Sequence, residues 1–251
     1  MNLLRKILIH FPGINKISKP LYSALRGEIT KELIQECVGK SDPIILEIGC
    51  NDGSHTLWFL ETFENPRIYF FEPDPRAIAR FKKKVGRHPN VNLFEIAVSD
   101  HNGDVTFYQS DGQLNEKSAE NMSEGWDLSG SVRRPKEHLK IHPWINFDKN
   151  ITVKTKTLDT WCNEHGIDII DFIWMDVQGA EIDVFKGGMK ALAKTRFLYT
   201  EYNNIELYHG QRTLKQLLDY LKNFKILIKY PGDVLLKNKQ SSEAMPQTNK
   251  I

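Results

Sequence analysis

The chain has 251 residues, 26% charged and 40% hydrophobic, and its 34 Lys and Arg against 32 Asp and Glu leave a formal net charge of +2. Such a length suits one large domain with additions, the composition excludes disordered and fibrous classes, and the near balance of charge argues against a protein that coats nucleic acid. No apolar run approaches the roughly 20 residues of a membrane-spanning helix, and the three scattered cysteines, Cys37, Cys50 and Cys162, have no CxxC pair, so neither a disulfide framework nor a zinc site is expected and a cytoplasmic location is.

In chain order, residues 1–40 read as an N-terminal helical extension. Leu3, Leu4, Ile7, Leu8 and Phe11 share one helical face among Arg5, Lys6, Lys16, Lys19 and Arg26, with no acid before Glu28. There is no small-residue cleavage site of a signal peptide. This face packs on its own domain or a partner, with peripheral contact to an anionic membrane as the alternative. Ile29, Leu33, Ile34 and Cys37 form a second stripe.

From residue 41 the pattern changes to short apolar runs separated by helical segments: strands over 44–48, 67–71 and 91–97, helices over 54–64 and 75–85. This is the βαβ rhythm of a parallel sheet. An added strand spans 103–110, and 111–149 has no period, with glycines and prolines scattered through it, so it reads as an inserted loop region. Regularity resumes with a strand over 151–156, a helix capped by Thr157, strands over 169–175 and 196–201, a helix marked by Leu214, Leu217, Leu218 and Leu221, and two strands around a Pro-Gly-Asp turn. The expected fold is α/β, doubly wound, mostly parallel, with a C-terminal antiparallel hairpin. The domain covers 41–238, and the polar tail 239–251 is expected to fray.

The strongest chemical signal is Ile-Leu-Glu-Ile-Gly-Cys-Asn-Asp-Gly-Ser-His-Thr at 45–56, a strand that turns through Gly49 and Gly53 into a helix. Glycines let a ligand approach the backbone, and a helix N-terminus offers free N–H donors. A dinucleotide site would want glycine at position 54 and a phosphate loop would want lysine there; Ser54 serves neither. Glu47, near the end of a buried strand, needs a donor such as an amino group. Glu72 closes the second strand, where an acid can accept both hydroxyls of a ribose. A ligand with an amino acid at one end and a nucleoside at the other answers both, and S-adenosylmethionine is that ligand.

On these residues the sequence resembles the FkbM family of S-adenosylmethionine-dependent methyltransferases, roughly over 44–202. The resemblance rests on Gly-Cys-Asn-Asp-Gly-Ser-His-Thr at 49–56, Phe-Glu-Pro-Asp-Pro at 71–75, Ala-Val-Ser-Asp at 97–100, Thr-Leu-Asp at 157–159, Met-Asp-Val-Gln-Gly-Ala-Glu at 175–181 with Lys-Gly-Gly at 186–188, and the strand end at Glu201 and Tyr202. It implies a class I, Rossmann-like methyltransferase fold and O-methylation of hydroxyls on a sugar, glycan or other small polyhydroxylated acceptor. Carried over, Glu47, Gly49, Asn51, Gly53 and Thr56 would line the methionine end of the cofactor, Glu72 the ribose, and Ala97 with Val98 the adenine. Gln178 departs from the family, which usually has Glu there, and puts an acidic role at that point in doubt.

Asp176 ends the fourth strand of the parallel sheet, at the side where open α/β sheets bind ligands, and is the leading proton acceptor; Glu201, ending the next strand, could assist. These two acids could instead share a divalent cation, and Asp176 could instead cap the following helix. The insertion 111–149 reads as an acceptor lid, with Trp126 offering an aromatic face to a sugar and Arg133 a partner for an anionic group. His209 is a further candidate base. Methylation of a nitrogen or carboxylate on another small molecule, and a catalytically silent cofactor-binding scaffold, are the rival readings.

Overall fold

The structure, a computed structural model, describes residues 23, 27–49, 51–112 and 125–241. The amphipathic face at Leu3 to Phe11, Cys50 and the end of the polar tail lie outside the described residues. The elements are α1 (Lys31–Val38), β1 (Ile44–Ile48), α2 (Ser54–Thr62), β2 (Arg67–Phe71), α3 (Pro75–Lys84), β3 (Val91–Phe94), β4 (Ala97–Val98), β5 (Gly103–Gly112), α4 (His138–Ile141), β6 (Ile145–Lys156), α5 (Leu158–Glu164), β7 (Ile170–Met175), α6 (Glu181–Gly187), α7 (Met189–Ala193), β8 (Thr195–Glu201), α8 (Leu214–Tyr220), β9 (Phe224–Lys229) and β10 (Asp233–Asn238).

The main sheet runs β3-β2-β1-β7-β8-β10-β9, parallel except where β10 lies antiparallel to β8 and β9. This is the doubly wound sheet with a terminal hairpin that the sequence pattern predicts. Strand residues alternate between its faces. Leu46, Ile48, Ile173, Met175 and Leu198 pack with Trp161, Phe185 and Leu217 on one side, while Ile45, Phe172, Trp174 and Phe197 pack with Leu33, Phe59 and Phe81 on the other. Both faces are covered by helices, which is why the central strands read as unbroken apolar runs. Helix starts follow their caps: Thr30, Asp74, Thr157 and Thr213 each accept from a backbone N–H of the first turn.

Two expectations are corrected. The strand expected over 91–97 divides, because its pairing with β2 ends at Phe71↔Phe94 and the chain turns away so that Ala97 and Val98 pair with β6 in a separate three-stranded sheet, β4-β6-β5. The period-free region 111–149 is also partly strand. β5 continues to Gly112 and β6 begins at Ile145, in antiparallel register from Gly103↔Thr155 to Gly112↔Ile145. The polar stretch Asn146 to Asn150 carries no hydrophobic alternation and is recruited by ladder hydrogen bonds with β5, which leave no trace in the sequence. Among the described residues no helix is long and apolar enough to cross a membrane.

Trp161, 1% exposed, meets Tyr69, Phe71 and Phe94 edge-on with ring centroids 5.0, 4.9 and 5.2 Å away. Trp161→Ala should cost about 3–5 kcal/mol of unfolding free energy, read from urea melts; a loss under about 1 kcal/mol would show that the α5 face refills the space.

Candidate active site

The strand order reverses between β1 and β7, and helices leave these two strands toward opposite faces of the sheet, which opens a crevice beyond their carboxyl ends. Gly49 sits at its floor with φ of 77°, and a Cβ there would lie 2.2 Å from the carbonyl oxygen of Asp176. Only glycine permits this approach. Asn51 follows in the left-handed region, φ 57°, which Asn tolerates better than most residues.

That turn aims the Asn51 N–H at Glu72. Glu72 Oε2 accepts from it at 3.0 Å, and Oε1 accepts from the Asp74 N–H at 2.8 Å. Burial pushes the Glu72 carboxyl up to about 8, against the pull of these two N–H bonds and with the charges of Asp74 and Asp127 adding to the rise. Glu72 lines a cavity of about 750 Å³ together with Gly49, Asn51, Ala97, Val98 and Asp176. These are six of the residues singled out in the sequence.

Glu47, Gly53 and Thr56 do not reach the cavity wall. Glu47 is 0% exposed and shares the sheet face of Ile45, under α2, where Thr56 donates its hydroxyl to Glu47 Oε2. Strand alternation puts Glu47 on the face of Ile45 and Trp174, where the Glu47–Thr56 pair is a support beneath the Gly49 turn. Direct contact of Glu47 and Thr56 with a ligand's amino end is therefore not the geometry found.

The segment expected as an acceptor lid also walls the cavity beside Asn51 and Glu72. Arg80 donates to Asn51 Oδ1 at 3.0 Å and pairs with Asp127, while Asn51 Nδ2 donates to Asp127 Oδ1 at 3.4 Å. Gly125, Asp127, Leu128 and Ser131 line the cavity. Trp126, Arg133 and His209 lie off its wall. The Trp126 indole N–H donates to Ser129 Oγ at 3.0 Å, and its ring stands edge-on to Trp144. Arg133 is spent on Asp183, to which Nε and one terminal nitrogen each donate at 2.7 Å, and its other terminal nitrogen donates to the His209 carbonyl oxygen. An arginine read as an anion receptor thus already holds its anion, a pairing across 50 residues that spacing does not reveal.

Asp176 and Glu201 do come together at the ends of β7 and β8. Gln178 Nε2 donates to Asp176 Oδ1 at 2.7 Å and to Glu201 Oε2 at 3.0 Å, and the two carboxyls are hydrogen-bonded to each other. Burial raises Asp176 above the ordinary carboxylate range. Burial, then the charge of Asp176, lifts Glu201 to about 10, with Glu181 and Asp233 contributing. Burial and mutual repulsion thus favour a shared proton on the pair. Asp176 does not cap α6, whose N-cap is Ala180, without a side-chain bond. Among the described residues no group of three or more His, Cys, Asp and Glu is placed to hold a metal ion.

The sequence reading passed over His55. Its ring lies 4.1 Å from that of Trp174, both line the cavity, and burial holds the imidazole below its ordinary value, hence neutral. Its place on the first turn of α2, directly behind the Gly49–Gly53 turn, was the available signal.

The family model described as the methyltransferase FkbM domain matches residues 47–226. The 2-O-methyltransferase NoeI of Sinorhizobium fredii is 49% identical over 203 residues, 79% of this chain and 81% of that protein. The hexuronic acid methyltransferase AglP of Haloferax volcanii is 24% identical over 180 residues, 70% of this chain and 63% of that protein. Among solved structures, fibrillarin of Aeropyrum pernix with natively bound S-adenosyl-L-methionine aligns with a TM-score of 0.42 at 12% identity, over 86% of this chain and 73% of that one.

Glu72→Ala should weaken S-adenosylmethionine binding by about 1–3 kcal/mol, since a methyl group accepts no hydroxyl proton, as measured by calorimetry. With the Glu72 carboxyl raised to about 8, affinity in the wild type should climb as pH rises toward that value and the acid ionises. Glu72→Gln should flatten the climb; unchanged affinity in both folded variants would remove Glu72 from the site.

Proposed function

The chain belongs to the FkbM family of methyltransferases, and we propose that it transfers the methyl group of S-adenosylmethionine to a hydroxyl of a sugar, glycan or other small polyhydroxylated acceptor. The observation that carries this reading is the Asp176–Glu201 pair at the ends of adjacent strands, bridged by the Gln178 amide, with Asp176 on the cavity wall as the proton acceptor. A relative named as a 2-O-methyltransferase and another named for hexuronic acid support a sugar hydroxyl as the acceptor. With a net charge of +2, the acceptor proposed is a small molecule or glycan and not a nucleic acid.

The residues present suit the cofactor. Glu72, held by two backbone N–H groups, has lone pairs left for ribose hydroxyls, and Ile96, Ala97, Val98 and Phe107 give apolar wall for a flat base. Bound there, S-adenosylmethionine supplies an electrophilic methyl group on a positively charged sulfur. The chain's own part is to hold the acceptor oxygen close and aligned, which accounts for much of the rate in such transfers, and to receive the hydroxyl proton on Asp176. Burial and the neighbouring Asp176 charge favour the protonated form of Glu201, which opposes a second negative charge in the crevice.

Asp176→Asn preserves shape and removes the proton acceptor. In assays with a pool of sugar acceptors, kcat should fall about 10²- to 10⁴-fold, with KM and cofactor affinity changing far less. The acidic limb of wild-type kcat should lie above the ordinary carboxylate value of about 4, because transfer needs Asp176 ionised and burial raises it. A fully active Asp176→Asn enzyme would move the base elsewhere, to His55 first.

A further inference from the structure

The acid pair is held by a side chain that does not itself titrate. Gln178 stands between the ends of β7 and β8, its Nε2 donating to both carboxyls, and its backbone is forced into the left-handed region with φ of 50° to put it there. Non-glycine residues adopt that conformation seldom and at a cost. Its carbonyl oxygen accepts from Ser131 Oγ at 2.8 Å, which pins the bend. On the far side Gln178 Oε1 lies 3.2 Å from the hydroxyl of buried Tyr208, which also donates to the Ser129 carbonyl oxygen at 2.7 Å. Next in the chain, Gly179 packs on the Tyr208 ring, where a Cβ would come within 2.7 Å of it.

An amide fits this location, where the family usually has Glu. It offers two N–H donors and one acceptor without charge. A carboxylate there would be a third acid beside Asp176 and Glu201, which Glu181 of α6 and Asp233 of β10 already face; Arg133, the nearest cation acting on Glu181, is paired with Asp183. A cation would neutralise the base. Tyr199, on the same strand as Glu201, is bonded to Asp233 and stays protonated, so it adds no charge.

We propose that Gln178, oriented by Tyr208, is the positioning residue of this site: its amide cross-links Asp176 and Glu201 and aims Asp176 at the acceptor hydroxyl. The inference rests on Asp176 being the proton acceptor. In the transfer the hydroxyl proton passes to Asp176, and neither Gln178 nor Tyr208 gains or loses a proton.

Gln178→Glu keeps the length and replaces the donor with an acid. The acidic limb of kcat should then move up by about one pH unit or more, a tenfold or greater loss at the wild-type midpoint recovered at higher pH, with cofactor affinity and melting temperature nearly unchanged. Tyr208→Phe should shift the limb the same way by less, because the amide loses its orienting partner. The independent readout is a ¹³C NMR titration of side-chain carboxyls in the cofactor-free protein, in which Gln178→Glu should raise the titration of the Asp176 carboxyl. An unmoved titration overturns the proposal whatever the enzyme's activity. A shifted titration alongside a fully active Asp176→Asn enzyme upholds the cross-link and instead refutes the base assignment. Should Gln178→Glu fail to fold, the Tyr208→Phe titration decides.

Discussion

The approach of β1 to β7 at their carboxyl ends governs the rest of the site. Gly49 and the Asp176 carbonyl are packed so closely that no Cβ fits, and the Asp176 N–H donates to the Ile48 carbonyl at 3.0 Å, extending the β1–β7 pairing to the point where both chains turn away. From one turn the backbone proceeds to Asn51 and its N–H toward Glu72; from the other, through Gln178, to the acid pair. Cofactor-side and acceptor-side chemistry thus share one seam, and a displacement there would move both sets of side chains at once.

The second constraint is the burial of several acids in one crevice. Glu72, Glu181, Glu201 and Asp233 are raised to about 8, 7, 10 and 6, each chiefly by burial, and Asp176 is raised with them. Each of these folded values exceeds its unfolded one, so the folded chain binds more protons than the unfolded chain above about pH 4. The resulting stability is fully present below the unfolded values and is lost as pH rises through the folded ones. Such shifts mark functional clefts because folding alone would favour apolar residues in their place.

The segment 125–132 ties the two halves together. Asp127 joins Arg80 and Asn51 on the Glu72 side, while Ser129 and Ser131 hold Tyr208 and Gln178 on the acceptor side. The paired strands β5 and β6 are the frame from which the segment is hung.

The sequence by itself determined the class of the fold, because strands buried on both faces must be continuously apolar and their helices must be amphipathic and capped, and these demands are local. It likewise marked Gly49, Glu72, Asp176 and Glu201, since strand-end acids and turn glycines stand out against an apolar background, while Asn51, Ala97 and Val98 came from the family resemblance. What it left to the tertiary structure were matters of direction and pairing. Alternation along β1 turned Glu47 inward onto Thr56; Asp183, distant in sequence, claimed Arg133; ladder bonds with β5 made a strand of a polar stretch. Gln178 read as a departure from an acidic pattern, and only the meeting of two strand ends with Tyr208 made it a bridge. Those outcomes depend on which groups meet across the fold, and a hydrogen bond or ion pair between distant residues imposes no period on either of them.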